Sequence, residues 1–323
     1  MSGSSPGPDE ESVREAVERS RSGAPAAGSV VRDRFETDEV FQRIVVAADE
    51  EIDTGTRELF FSGLAAGFAI TITFLAYAAM SAKYPDDPLL GAALYPLGFV
   101  YIILGGYQLF TENTLPPVAL ALERLASIPA LLWTWSVVLA GNFVGGGLGA
   151  LALAYAGVFE PSSAAMAADI SGKGLKTPPL ALFSKGAFAG LVVAGVVWLD
   201  YAVRDTISRL VLVYVAFLLI PLGDLFHVVV SFTELMYLVY LGEAALVAGL
   251  VGFILPVLLG NTLGGILLVT VVNYFQTTER RLETARDDGL ERQLSVREWL
   301  GGSSVGRTYV PADGDGERRR GDD

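Results

Sequence analysis

The sequence contains no cysteine, a single histidine and few charged residues. Without cysteine there is no disulfide, thiolate metal site or cysteine nucleophile, and His227 alone cannot build a multi-histidine metal site. Charged residues make up 18% of the 323 residues and hydrophobic ones 52%, and the mean hydropathy is +0.46. A soluble domain of this size needs a larger charged surface. No nucleophile–base pair, metal cluster or phosphate loop stands out, so neither an enzyme nor a bound cofactor is expected.

The acidic excess lies at the two ends of the chain. The net charge is −13, and the acidic residues concentrate in residues 1–56 and 277–323. Residues 1–34 predict a disordered tail, and residues 277–323 predict a charged cytoplasmic tail. Between them, residues 35–57 place apolar side chains at helical spacing and predict an amphipathic helix at the cytoplasmic membrane surface. An acidic chain repels nucleic acid, so no nucleic-acid partner is expected.

Six apolar segments follow, each with the roughly 20 residues that a helix needs to cross a membrane. They are residues 58–81, 92–122, 128–158, 180–203, 207–241 and 245–275. Together they predict an all-α, six-helix transmembrane domain over residues 58–276. Segments 92–122 and 207–241 are long, contain proline and carry polar residues in mid-span, so we expect interrupted helices there.

Basic residues divide unevenly between the two sides of this domain. The loops of one side carry Arg57, Arg124, Arg204, Arg209, Arg280 and Arg281, and those of the other carry Lys83, Lys173 and Lys176. Cytoplasmic loops are enriched in basic residues. The arginine side is therefore predicted to be cytoplasmic, with both termini there, in a multi-pass protein of the plasma membrane.

The sequence resembles itself weakly in three places. The third and sixth segments share a Gly-Asn-x-x-Gly motif, at residues 141–145 and 260–264. The first and fourth share a Gly-x-x-x-Gly motif, and the second and fifth share a Leu-Phe pair followed by Thr111 or His227. Three spans are an odd number, so the second copy starts from the opposite side of the membrane. This order predicts two inverted three-helix repeats, a common plan in transport proteins.

The repeat aligns Thr111 with His227 in the two interrupted spans. In folds of this plan the broken helices meet near the midplane and form the substrate path. The pore residues predicted on this basis are Phe110, Thr111, Glu112, Asn113, Phe226, His227 and Glu234. Lys176 or Lys173, just before the fourth span, either attracts anions from the outer side or is a solvated loop lysine.

At these positions the chain resembles the formate/nitrite transporter family. The resemblance rests on the Leu-Phe-Thr-Glu-Asn-Thr run, the paired Gly-Asn-x-x-Gly motifs and the lone histidine of the fifth span, and it covers residues 58–275. It implies an aquaporin-like six-helix protomer with its own pore, assembled as a homopentamer in the lipid bilayer. It also implies passage of small monovalent anions, or their acids, such as formate or nitrite. The gate of the pore would be Leu109, Phe110 and Thr111, with His227 at the centre.

The sequence departs from the Glu-His-Ser-x-x-Asn pattern that many members carry around this histidine. It reads Phe-His-Val, with Ser231 where the asparagine would fall. Acidic residues stand instead at Glu112, Asp224 and Glu234. In the Phe-Thr-Glu-Asn-Thr run and the His-Val-Val-Val stretch the chain resembles the YfdC-like branch of the family.

Several roles remain open at the level of sequence. His227 is either a buried structural histidine or a group that hydrogen-bonds an anion and, when protonated, passes it a proton. Thr111 either bonds its own helix or faces the pore. Phe110 and Phe226 either pack or form two hydrophobic constrictions. Ionised, pore-facing Glu112 would repel anions.

Alternatives also remain for the other polar residues of the breaks. Glu112 and Glu234 could instead be protonated, pair with basic groups or cap the broken helices. Asn142 and Asn261 are predicted to satisfy free backbone groups at the breaks, with substrate contact as the alternative.

Three functions compete on this pattern. The first is a pentameric channel or proton-coupled transporter for a small weak-acid anion. The second is a pathway for a small neutral solute or a cation, which Glu112 and Glu234 motivate. The third is a membrane scaffold or sensor that transports nothing, and the interrupted polar spans argue against it because an anchor does not need them.

Overall fold

The computed structural model describes residues 37–276 and 294–302. The tail predicted over residues 1–34, and most of the one predicted over residues 277–323, lie outside the described residues. The helices before the first interruption are α1 (Thr37–Asp53), α2 (Thr56–Lys83), α3 (Pro88–Ala92) and α4 (Leu97–Gly105). Those that follow, up to the second interruption, are α5 (Pro116–Leu122), α6 (Ile128–Tyr155), α7 (Pro161–Lys176), α8 (Pro179–Ala202) and α9 (Thr206–Leu222).

The last membrane segment contains two π-helical turns. After α10 (Val228–Leu241), α11 (Leu246–Gly249) continues through Leu250–Ile254 into α12 (Leu255–Gly265). Ile266–Val271 then leads to α13 (Val272–Gln276), and α14 (Val296–Gly301) follows the undescribed stretch. Across the described residues every regular element is helical, as predicted.

The helices meet the requirements of a membrane protein. Five are long and apolar enough to cross a membrane by length and composition: Thr56–Lys83, Pro88–Gly105, Ile128–Tyr155, Pro179–Ala202 and Leu246–Gly265. The segment predicted over residues 207–241 consists of two shorter apolar helices, α9 and α10. Large apolar side chains such as Trp133, Phe188 and Val251 are exposed on the surface. Water does not favour such a surface, whereas lipid or a second subunit does.

Two helix pairs, α2 with α6 and α8 with α12, pack at very short range through glycine. The pairs correspond to the two Gly-x-x-x-Gly motifs that the sequence shows. A Cβ added to Gly67 would lie 2.2 Å from the carbonyl oxygen of Asn142, and one added to Gly190 would lie 2.1 Å from that of Asn261. Only glycine allows the two backbones to approach this closely.

We expect Gly190→Ala to destabilise the fold by about 1–3 kcal/mol, because the new methyl group overlaps the Asn261 carbonyl and α8 must move away. The matched control is Gly195→Ala on the same helix, where an added Cβ meets nothing within 4 Å. The measurement is the temperature at which half of the purified protein still elutes as an intact oligomer. Equal temperatures for the two variants would contradict the close packing.

The apolar face of helix α1 packs against protein, and its position at the cytoplasmic membrane surface stays a prediction. Its apolar face, with Phe41, Ile44 and Ala48, is fully buried against the helical body. Ala48 joins a cluster with Leu120 of α5 and with Ala126. The apolar face of α1 is buried in protein because protein side chains pack against it more closely than lipid head groups do.

Two helices outside the predicted spans complete the frame. Helix α7 packs against α2 and α10, and its last turn carries Lys173 and Lys176. The short helix α14 lies against the end of α5, where the indole Nε1 of Trp299 donates to the carbonyl oxygen of Ala121 at 2.8 Å. The backbone N–H of Leu294 donates to Arg124, also at 2.8 Å. Both bonds satisfy carbonyls near the C-terminal end of a helix.

Candidate functional site

The chain between α4 and α5 is held open by one buried asparagine. Asn142 of α6 accepts a hydrogen bond from the backbone N–H of Phe110 at 2.9 Å. Its amide group donates to the carbonyl oxygens of Gly63, at 2.8 Å, and Gln108, at 2.9 Å. An interrupted helix leaves backbone groups without partners, and an amide side chain supplies both the donor and the acceptor that they need.

The break between α9 and α10 is built in the same way. Asn261 of α12 accepts from the backbone N–H of Val228 at 2.8 Å. It donates to the carbonyl oxygens of Gly186, at 2.8 Å, and Phe226, at 2.9 Å. These three bonds correspond one to one to the three bonds of Asn142. Both halves of the chain therefore support their interrupted helix in the same way.

The matched bonds correct the register of the predicted repeat. Phe226 is equivalent to Gln108, and His227 is therefore equivalent to Leu109 and not to Thr111. The alignment of the two Leu-Phe pairs is wrong by two residues, because local sequence similarity does not coincide with the backbone geometry. Phe110 and Phe226 consequently do not form a symmetric pair.

The two loops touch through Thr111 and His227. The Thr111 hydroxyl and the His227 Nε2 are 2.7 Å apart, and the ring of Phe99 meets the imidazole edge-on at 5.0 Å between centroids. His227 is 1% exposed. Its Nδ1 has no hydrogen-bond partner among the described residues. This nitrogen can therefore accept from, or donate to, a small polar molecule.

His227 lines a cavity of about 360 Å³, called here the lysine cavity. Its other polar and aromatic lining residues are Tyr77, Tyr95, Asp169, Lys173, Lys176, Thr177, Asp224, Phe226, Ser231 and Glu234. The sequence has four lysines, and two of them line this cavity. A third, Lys185, binds Asp224 at its edge. Three of the four lysines are thus found at one end of the site.

A second cavity, of about 160 Å³, lies on the side of the Thr111 loop and is called here the carboxylate cavity. Three acidic side chains line it, Glu51 of α1, Glu112 and Asp200 of α8, together with Gln108 and Asn113. No lysine or arginine is among its lining residues in the described chain. The two ends of the site therefore differ in their basic residues, because acidic side chains line both cavities and lysines line only the first.

The carboxylate cavity is not fully charged at neutral pH. Burial raises the pKa of the Glu51 carboxyl to about 8, against a smaller lowering by a hydrogen bond from Asn113. At pH 7 this group keeps its proton, and it ionises only as the pH rises through 8. Asp200 is paired with the Arg209 guanidinium at 3.1 Å. The Oε1 atom of Glu112 is buried without a hydrogen-bond partner among the described residues.

The structure brings together most of the residues that the sequence predicts for the pore. Phe226, His227, Ser231, Glu234 and Lys176 line the lysine cavity.

The residues of the other loop divide between a cavity and the core. Glu112 and Asn113 line the carboxylate cavity. Leu109 and Phe110 line neither, because Leu109 is fully buried in the core and the Phe110 ring packs against Trp135 at 5.7 Å. Thr111 contacts His227, between the residues that line the lysine cavity and those that line the carboxylate cavity.

Sequence analysis misses Glu51, Lys185 and Asp200 as residues of the site. Lys185 directly precedes Gly186 of a packing motif, and a lysine inside an apolar span is a signal that could have identified it. Glu51 belongs to a helix that was assigned to the membrane surface. The described residues contain no group of three or more His, Cys, Asp or Glu that could hold a metal ion.

Comparison with known proteins agrees with this geometry. Inner membrane protein YfdC of Escherichia coli (strain K12) is 28% identical over 242 residues, which are 73% of this chain and 77% of that protein. Formate-nitrite transporter 3 of Toxoplasma gondii (strain ATCC 50611 / Me49) is 25% identical over 253 residues, 73% of this chain and 50% of that protein.

The fold is also found among solved structures. A pentameric formate channel with formate bound superposes with a TM-score of 0.59 at 20% identity, covering 68% of this chain and 97% of that one. The sequence profile described as formate/nitrite transporter matches residues 38–275. The chain therefore belongs to the formate/nitrite transporter family of membrane channels and transporters.

Proposed function

We propose that this chain forms a homopentamer in the plasma membrane, with both termini in the cytoplasm, and conducts small monovalent weak-acid anions of the formate type. The observation that carries the proposal is His227, which lines the lysine cavity and keeps one buried imidazole nitrogen without a partner among the described residues. The formate-nitrite transporter of Toxoplasma gondii supports the substrate class, and the solved pentamer supports the assembly.

The proposed step is a proton transfer at His227. An anion enters the lysine cavity, and a protonated His227 gives its proton to a carboxylate oxygen. The N–H bond breaks, the O–H bond forms, and the imidazole becomes neutral until it takes a proton from water. A bare anion in hydrocarbon costs on the order of tens of kcal/mol in the idealised limit. The neutral acid avoids most of that cost on its way past the apolar core around Phe99 and Leu109.

The carboxylate cavity favours a second candidate, a pathway for a small neutral solute or a cation. Glu51, Glu112 and Asp200 line it without a basic residue among its lining. Ionised carboxylates there would attract a cation and repel an anion.

Uptake into proteoliposomes distinguishes the two candidates. We expect formate, nitrite or acetate uptake to increase as the outside pH falls from about 7.5 to about 5.5, because in the proposed step a proton crosses with each anion. We expect Glu112→Gln to leave this uptake unchanged or to raise it. Uptake of methylammonium or glycerol without anion uptake, lost in Glu112→Gln, would instead establish the second candidate.

A further inference from the structure

We propose that Lys173 and Lys185 form an entry site for a monovalent carboxylate, and that the side chain of Asp224 occupies this site until the substrate displaces it. The inference rests on the proposed anion pathway and adds to it a site with its own chemistry. It concerns the mouth of the lysine cavity, one step before His227.

The two lysines already bind a carboxylate in the structure. The ammonium group of Lys173, from α7, contacts Oδ1 of Asp224, and that of Lys185, from α8, contacts Oδ2. Two ammonium groups from different helices thus hold the two oxygens of one carboxylate. A small monocarboxylate offers the same pair of oxygens, so it satisfies the same donors.

The backbone conformation restricts the residue at this turn to a few types but does not by itself select aspartate. Asp224 has φ = 53°, a left-handed conformation that side chains other than glycine, asparagine and aspartate rarely adopt. The hydrogen-bond register makes Gly106 its equivalent in the other half, and that residue is a glycine with φ = 66°. Glycine thus suits this turn, and what aspartate adds is a carboxylate placed between two lysines.

The site is accessible and leads directly to the histidine. The side chains of Lys173, Lys185 and Asp224 are 59%, 33% and 40% exposed, so a dissolved anion can reach them. The Lys185 ammonium lies 5.8 Å from the centre of the Phe226 ring, and His227 is the next residue. A carboxylate that replaces Asp224 therefore stands beside the entrance to His227.

Acidic and basic side chains around the site are equal in number when Asp224 is counted. Lys173, Lys176 and Lys185 are opposed by Asp169, Asp224 and Glu234, all lining the lysine cavity or bound at its edge. Removing the Asp224 charge leaves the site positive. It also removes the carboxylate that competes with the substrate for the lysine ammonium groups.

The experiment measures the formate concentration for half-maximal uptake at low ionic strength. Asp224→Asn and Asp224→Gly should lower it about three- to tenfold, and Lys185→Gln should raise it by a similar factor. About 0.5 M sodium isethionate should shrink both changes, because salt screens exposed charges. The variant Asp224→Gly matches the turn geometry of Gly106, so folding is preserved. Lys83→Gln, a lysine away from the cavity, is the control and should change nothing.

Binding of ¹³C-formate to the detergent-solubilised oligomer, followed by NMR, gives a readout independent of transport. Unchanged affinity in both Asp224 variants, with uptake intact, would overturn the entry site and leave the proposed function standing. If the wild type binds formate in an Asp224-dependent manner but takes none up, the entry site stands and the proposed function fails. If it neither binds nor transports formate, both fail.

Discussion

Proteoliposomes containing His227→Asn should take up formate at about pH 5.5 at no more than about a tenth of the wild-type rate. Asparagine is similar in size but does not titrate, so it cannot hand a proton to the anion before the apolar core. A tenfold loss corresponds to about 1.4 kcal/mol in the barrier, a small part of the cost of moving an unneutralised anion through hydrocarbon. The dependence of the rate on pH should disappear together with the rate.

A second substitution separates proton transfer from structure at the same position. His227→Gln can keep a hydrogen bond to Thr111, which lies 2.7 Å from the imidazole Nε2, and it also lacks a titrating group. We expect it to fail in the same way while eluting as an intact oligomer. Acid-stimulated uptake at the wild-type rate in either correctly assembled variant would rule out a titrating histidine in the pathway.

Asn261→Ala should be the most destabilising single change at the site. It removes the partners of the Val228 N–H and of the Phe226 and Gly186 carbonyls, all buried. Each buried polar group left unpaired costs about 1–3 kcal/mol, so the sum over the three groups is about 3–9 kcal/mol. That is a large part of the 5–15 kcal/mol that typically separates folded from unfolded domains, so little intact oligomer should be recovered.

The neighbouring Thr262→Ala is the matched control, because its hydroxyl bonds only the carbonyl of Leu258 within its own helix. Asn142→Ala should behave like Asn261→Ala, since it breaks the equivalent three bonds in the first half. If Asn261→Ala were as stable as Thr262→Ala, the asparagine would not be what supports the interrupted helix.

The sequence predicts the frame of this protein better than its cavities. Apolar length and paired glycines predict the membrane helices, because both depend on local composition. The predicted register of the repeat is wrong by two residues. It aligns Thr111 with His227 because both follow a Leu-Phe pair, whereas the residue at the backbone position equivalent to His227 is Leu109. Hydrogen bonds from helices far away in the sequence fix the backbone register of the two interrupted spans. Local sequence similarity does not reveal these bonds.

The charged residues of the two cavities show a second limit. Glu51 lies on α1, whereas Lys185 and Asp200 lie near opposite ends of α8, and tertiary packing alone brings them to the site. The course of α1 illustrates the same limit, because an amphipathic stripe shows which face is buried but not whether lipid or protein covers it.

The solitary histidine makes its own chemistry directly observable. In protein labelled with ¹⁵N-histidine and purified through a histidine-free tag, magnetic resonance would report on His227 alone. The two ring nitrogens are distinguishable, because Nε2 faces Thr111 while Nδ1 has no partner among the described residues. The tautomer could thus be followed in a native bilayer as formate is added. A shift confined to Nδ1 would show the substrate at the imidazole before any flux is measured.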